Sequence, residues 1–155
     1  MRKINSVFVV LLVSTFTYCQ NSKSDTKKMN NVIEVQIRSV NFSLMTSISV
    51  NCNNFEEYFK GIKLSSFTDT AAINEFLKQI ANLELIDSTY SKSIDTRAKI
   101  EVVSDADTTT ICVGNLSLKM NNIIYKTPQG LIEFIEKIEL SKTDKGITVI
   151  DEKTE

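Results

Sequence analysis

Histidine is absent from this chain. The usual neutral-pH proton shuttle and the commonest metal ligand are therefore both missing, and any chemistry must come from cysteine, serine or carboxylate side chains. The cysteines are Cys19, Cys52 and Cys112. None forms a CxxC pair or a zinc-ligand spacing, so no metal site is expected. Cys52 and Cys112 can pair as a disulfide if the chain meets an oxidising compartment, closing a loop of roughly 60 residues; the alternative is two small buried apolar thiols pointing to different places. Asp105-Ala106-Asp107 with Thr109 offers oxygens to a calcium ion, yet it lacks the glycine and distal glutamate of a calcium loop and reads as a hairpin turn. Glu56-Glu57 and Glu133, Glu136 and Glu139 could supply paired carboxylates, but they fall on the polar faces of expected helices, where solvated surface is the ordinary reading. Ser24 and Lys27 have S-x-x-K spacing without the companion motifs that would make a serine nucleophile. With only 4 glycines, there is no phosphate-cradling loop or dinucleotide fingerprint, and with no tryptophan a sugar-stacking surface is weakened. No catalytic residue and no cofactor is assigned.

The elements that would carry these residues centre on Asp95–Tyr125. Ala98, Ile100 and Val102 alternate with Arg97, Lys99 and Glu101, the period of a strand with one buried and one wet face. After the polar turn at 104–107, Thr109–Val113 is β-branched but for Cys112. Gly114-Asn115 turns the chain, Leu116, Leu118 and Met120 alternate with polar residues, and Asn121-Asn122 precedes a short strand at Ile123–Tyr125. Connections this short predict an antiparallel meander.

Upstream, Ile33, Val35 and Ile37 mark a first strand, and Leu44, Ile48, Val50 and Cys52 share one parity, which predicts a hairpin turning near Asn41. Phe55, Tyr58 and Phe59 predict a helix of two turns ended by Gly61. Asp69 or Thr70 caps a second helix buried through Ile73, Phe76, Leu77 and Ile80. Thr127 and Pro128 open a last helix with the stripe Leu131, Phe134, Ile135 and Ile138, where Glu133 and Lys137 make an i, i+4 pair. Ile147–Ile150 can add an edge strand. The expected fold is α+β: an antiparallel sheet, made of an N-terminal hairpin and a C-terminal meander, with two main helices mainly on one face. Tyr90, Ser91, Lys92 and Ser93 lie in the long polar connection from Asp87 to Asp95, a candidate interaction loop.

The first residues have another character. Arg2 and Lys3 precede an apolar run from Val7 to Val13, shorter than the ~20 residues a bilayer span needs, so 1–19 reads as an export signal. The segment resembles a bacterial lipoprotein signal, in which Cys19 would be lipidated and become the mature N-terminus; Tyr18 departs from the small residue usual there. It also resembles secretory signals ending in Tyr-small-Gln, with cleavage before Gln20. Residues 20–31 are polar and read as a flexible tether, 32–150 as one domain, and 151–155 as a frayed tail. The later part resembles, in general appearance, small exported proteins of Gram-negative bacteria, which implies location more than activity.

The chain holds 18 basic and 19 acidic residues; without Arg2 and Lys3 the balance is 16 against 19. Phosphate backbones require a clustered basic excess, so nucleic acid is not an expected partner. The sequence therefore predicts an exported, lipid-anchored or periplasmic/secreted binding or accessory protein of the cell envelope. On this reading it is not an enzyme and its partner is a protein or envelope component, with the membrane engaged through Cys19 if lipidated. A periplasmic inhibitor or immunity protein is the narrower alternative, and a hydrolase using carboxylates alone the third.

Overall fold

A computed structural model describes residues 31–86 and 94–140, and the backbone of 148–151. Its strands are β1 (Val32–Ser39), β2 (Lys63–Phe67), β3 (Thr96–Ser104), β4 (Thr108–Gly114), β5 (Ser117–Met120), β6 (Ile123–Lys126) and β7 (Thr148–Asp151); its helices are α1 (Phe55–Tyr58), α2 (Thr70–Ile80) and α3 (Gln129–Leu140). The strands form one antiparallel sheet in the order β6-β5-β4-β3-β1-β2-β7. The α+β expectation holds, with α2 and α3 on one face.

The meander β3–β6 follows the alternation of its residues. Ala98, Ile100, Val102, Ile111, Val113, Leu118 and Met120 all point to the helix side and are buried there. Asn121 and Asn122 take φ of 51° and 64°, the left-handed pair that a two-residue hairpin turn requires and asparagine tolerates. Gly114 ends β4 where a Cβ would stand 2.5 Å from the Asp95 carbonyl oxygen, so no larger residue fits without moving backbone.

Across the sheet lie the amphipathic helices. The Asp69 carboxylate accepts from the Ala71 and Ala72 amides, both at 3.0 Å, fixing the start of α2. Phe67 of β2, Phe76 of α2 and Phe134 of α3 meet at centroid distances of 5.9–6.5 Å, a cluster in which edge-to-face contact adds to apolar burial. Thr127 acts differently from the expected cap: its hydroxyl donates to the Gly114 carbonyl at 2.8 Å, tying the entry of α3 to the end of β4. Lys137 reaches Glu75 of α2 at 3.2 Å, while Glu133 accepts from Gln129. A bridge between helices replaces the predicted pair within one helix.

The N-terminal hairpin needs correction. β1 does pair with an antiparallel neighbour, but that neighbour is β2, not residues 44–52. Residues 40–62 instead run over the second face of the sheet, with α1 as one helical turn rather than two. Two features defeat strand pairing in 44–52. Ser43, Ser47 and the asparagines near both ends favour local turns; Asn41 Oδ1 accepts from Ser43 N at 2.8 Å, and Asn51 Oδ1 from the amides of Asn53 and Asn54 at 2.9 and 3.1 Å. The apolar residues are also divided: Phe42 enters the main core and Val50 a second one, while Leu44 and Ile48 stay exposed.

Candidate interaction surface

On the second face, β1 contributes Glu34, Gln36 and Arg38, β3 contributes Lys99 and Glu101, β4 Thr110 and Cys112, and β5 Lys119. Register places Arg38, Lys99, Cys112 and Lys119 in one row across four strands. Over one end of this face sits the 40–62 segment with its own small core of Val40, Val50, Phe55 and Phe59, against which Ile62 packs.

Three kinds of bond hold the segment down. Backbone bonds run from Val40 N to Arg97 O at 2.9 Å and from Thr96 N to Val50 O at 2.7 Å. Polar side chains add Val50 N to Asp95 Oδ1 at 3.0 Å and Asn115 Nδ2 to Phe42 O at 2.9 Å. A disulfide joins Cys52 to Cys112, whose Cα atoms are 5.7 Å apart, inside the range a disulfide spans without moving backbone. Cys52 belongs to the covering segment and not to a strand, so the bond fastens a loop to the sheet instead of joining two strands.

Arg97 is the largest departure from the alternation argument. Its parity places it on the expected wet face, yet it is 3 % exposed because the covering segment closes over it. Its guanidinium is held by both Asp95 oxygens at 2.6 and 2.9 Å, by Thr46 Oγ1 at 3.1 Å and by the Thr96 carbonyl at 3.1 Å, and lies 5.7 Å from the Phe59 ring centroid. Both Nη groups are thus paired, as a buried charge requires, while the buried Nε has no hydrogen-bond partner among the described residues. Farther along the face, Arg38, Lys99, Glu56 and Glu101 alternate in sign, with Arg38–Glu101 at 2.8 Å and Lys99–Glu56 at 3.1 Å.

Glu56 and the glutamates of α3 serve separate contacts. Glu56 serves this charge network, and Glu133 and Glu136 are exposed on α3. Glu139 is no solvated residue: its side chain is 8 % exposed, accepts from Ser39 Oγ at 2.5 Å and pairs with Lys63 Nζ at 2.7 Å. It anchors the C-terminal turn of α3 to β1 and β2. Ser104 and Asp107 close the β3–β4 turn on each other, with Ser104 N donating to Asp107 O at 2.9 Å. Among the described residues no three acidic or cysteine side chains gather as metal ligands.

What the second face does present is an apolar tip. Met45 is 94 % and Leu116 83 % exposed, with Leu44 and Ile48 about half exposed. The Asn115–Phe42 hydrogen bond holds the two loops together, and no residue from 41 to 54 carries a charge. That bond brings the loop of Leu116 to the segment that carries Leu44, Met45 and Ile48, and exposed apolar residues that share a region in this way mark contact surfaces. Alternation in the sequence placed Leu44, Ile48 and Leu116 on buried strand faces, so this surface was missed; the lack of charge over 41–54 was the signal that could have found it. Cys19 and Tyr90, Ser91, Lys92 and Ser93 lie outside the described residues. No protein-family model matches the chain, and no curated protein or solved structure matches it either.

Proposed function

We propose that the protein is an exported, non-enzymatic binding module of the cell envelope whose partner is another protein, held at the tip formed by Leu44, Met45, Ile48 and Leu116. That exposed apolar tip is the observation that carries the reading. Its chemistry is uncharged and hydroxyl-rich, which suits a protein surface; a loop that docks on anionic lipid carries cations beside its apolar residues. Position supports the same choice. The chain enters at Val32 and β1 runs for 8 residues before the tip loop begins, about 26 Å at strand rise. The chain N-terminal to Val32 therefore joins the domain at the end of β1 opposite the tip loop. The Cys52–Cys112 bond supports export, because such bonds persist in oxidising compartments.

A photo-crosslinking residue at Met45, introduced in native cells, should give one discrete protein adduct in the envelope fraction, and the same probe at Lys78 on α2 should give none. Equal adducts at both positions, or lipid adducts alone, would reject the reading. Intact mass of the fractionated protein tests export separately: a diacylglyceryl Cys19 marks the lipoprotein, an N-terminal Gln20 simple secretion, and an untrimmed cytosolic chain defeats both. An inhibitor of an envelope enzyme would use the same tip, and the identity of the adduct separates it from an accessory protein.

A further inference from the structure

The groove beside the disulfide is lined by two lysines and no carboxylate, and we infer that it receives an acidic peptide segment of the partner. The recess has a volume of about 460 Å³ and is lined by Lys99, Lys119, Asn53, Thr110, Asn121 and Asn122 around the Cys52–Cys112 bond. Every side-chain group on this wall except the disulfide can donate hydrogen bonds, and none is a carboxylate. The chain as a whole is net negative, so the recess runs against the overall charge.

The two lysines are not equivalent. Lys99 is shared between Glu56 at 3.1 Å and Glu101 at 4.0 Å. Lys119 is partly buried and its ammonium has no acidic partner among the described residues. A lysine half-withdrawn from water without a counter-charge is a position at which an incoming anion gains more than it would on open surface. Lys99, Cys112 and Lys119 occupy one cross-strand row, so the lysine stems rise about 10 Å apart. In an extended peptide, carboxylates two residues apart are about 7 Å from one another, and the flexible lysine stems close the difference. The recess is open along the sheet rather than enclosed, which fits a passing chain better than a small molecule that must be surrounded. The disulfide fixes the wall between the two lysine stems, so only their outer ends must adjust when a ligand arrives.

This inference rests on the partner being a protein, but the two sites are separate. The groove runs toward the Asn121-Asn122 turn and the tip lies at the other end of the strands, so either can fail alone. The probe is fluorescein-labelled hexaglutamate, titrated into the full mature chain at low salt and followed by anisotropy, with amide NMR shifts mapping the contact. Shifts are expected at Lys119, Asn121, Asn122 and Asn53. Lys119→Gln should weaken binding about threefold to fivefold, the size of one partly exposed ion pair, whereas Lys78→Gln on α2 should leave it unchanged. Binding that Lys119→Gln and Lys78→Gln weaken equally, or shifts spread over the surface, would overturn the site. Inorganic phosphate producing the same shifts at the same concentration would overturn the peptide assignment, and absence of these shifts would overturn the groove even where Met45 gives a protein adduct.

Discussion

The two faces of the sheet are held by different physics. On the helix side, some twenty side chains interlock around Phe67, Phe76 and Phe134, and apolar burial is the main source of cohesion, with the Glu139 contacts to Ser39 and Lys63 added at one end of α3. On the other side four buried side chains form the small core, and a disulfide, a buried arginine pair and a few hydrogen bonds do the rest. A segment with a single helical turn pairs little of its own backbone and has little apolar surface to bury, so it needs covalent and polar fasteners. The consequence is a stable scaffold on one side and, on the other, a pinned loop free to display residues that the fold does not use.

The sharpest test of that division is Phe76→Ala. Phe76 is fully buried between β2 and α3, and removing its ring leaves a cavity walled by two other rings that cannot collapse far. Unfolding free energy should fall by about 3–5 kcal/mol, read by chemical denaturation. A loss under 1 kcal/mol would mean that the helix side is not the main source of stability.

A smaller and differently distributed effect is expected for Cys52→Ala with Cys112→Ala. The bond spans a sequence separation of 60, and its loss should cost about 2–4 kcal/mol. Its mark is where protection disappears. Hydrogen exchange should accelerate most at amides such as Val50 and Thr96, which bond across the segment boundary, while α2 and α3 keep their protection up to the new global limit. Uniform acceleration over the whole chain would show that the two sides do not differ in local stability.

The sequence spelled out the helix side almost completely because one period decided each element. In α2 and α3 the 3.6-residue stripe, and in β3–β6 the two-residue alternation, agree with local capping and turn residues; Asp69 and the Asn121-Asn122 turn needed no tertiary information. Failures concentrate where tertiary contact overrides alternation. Arg97 shares its parity with Lys99 and Glu101, and only the segment arriving from residues 40–62 makes that end of the face dry. Lys63–Phe67 carries just Leu64 and Phe67 as large apolar residues, so β2 lacks a period and is defined by the edge that β1 offers. In 44–52 a parity of apolar residues existed, but Asx and serine turns broke the backbone that would have used it. The same override hid the candidate surface: the alternation that makes Leu116 look like core ignores its place in a turn, where its side chain is 83 % exposed.

The smallest stability effect is predicted where the apolar tip is most exposed. Met45→Ser removes a large side chain, yet Met45 is 94 % exposed, so almost none of its surface leaves water on folding and none of the transfer free energy of burial is lost. Its neighbour Thr46, not Met45, supplies the contact to Arg97, so the clamp is untouched. Stability should change by less than about 0.5 kcal/mol, while solubility rises and any contact made through the tip weakens. A loss of 2 kcal/mol or more would mean that Met45 is packed against the fold, and the distinction between a pinned loop and a displayed tip would fail with it.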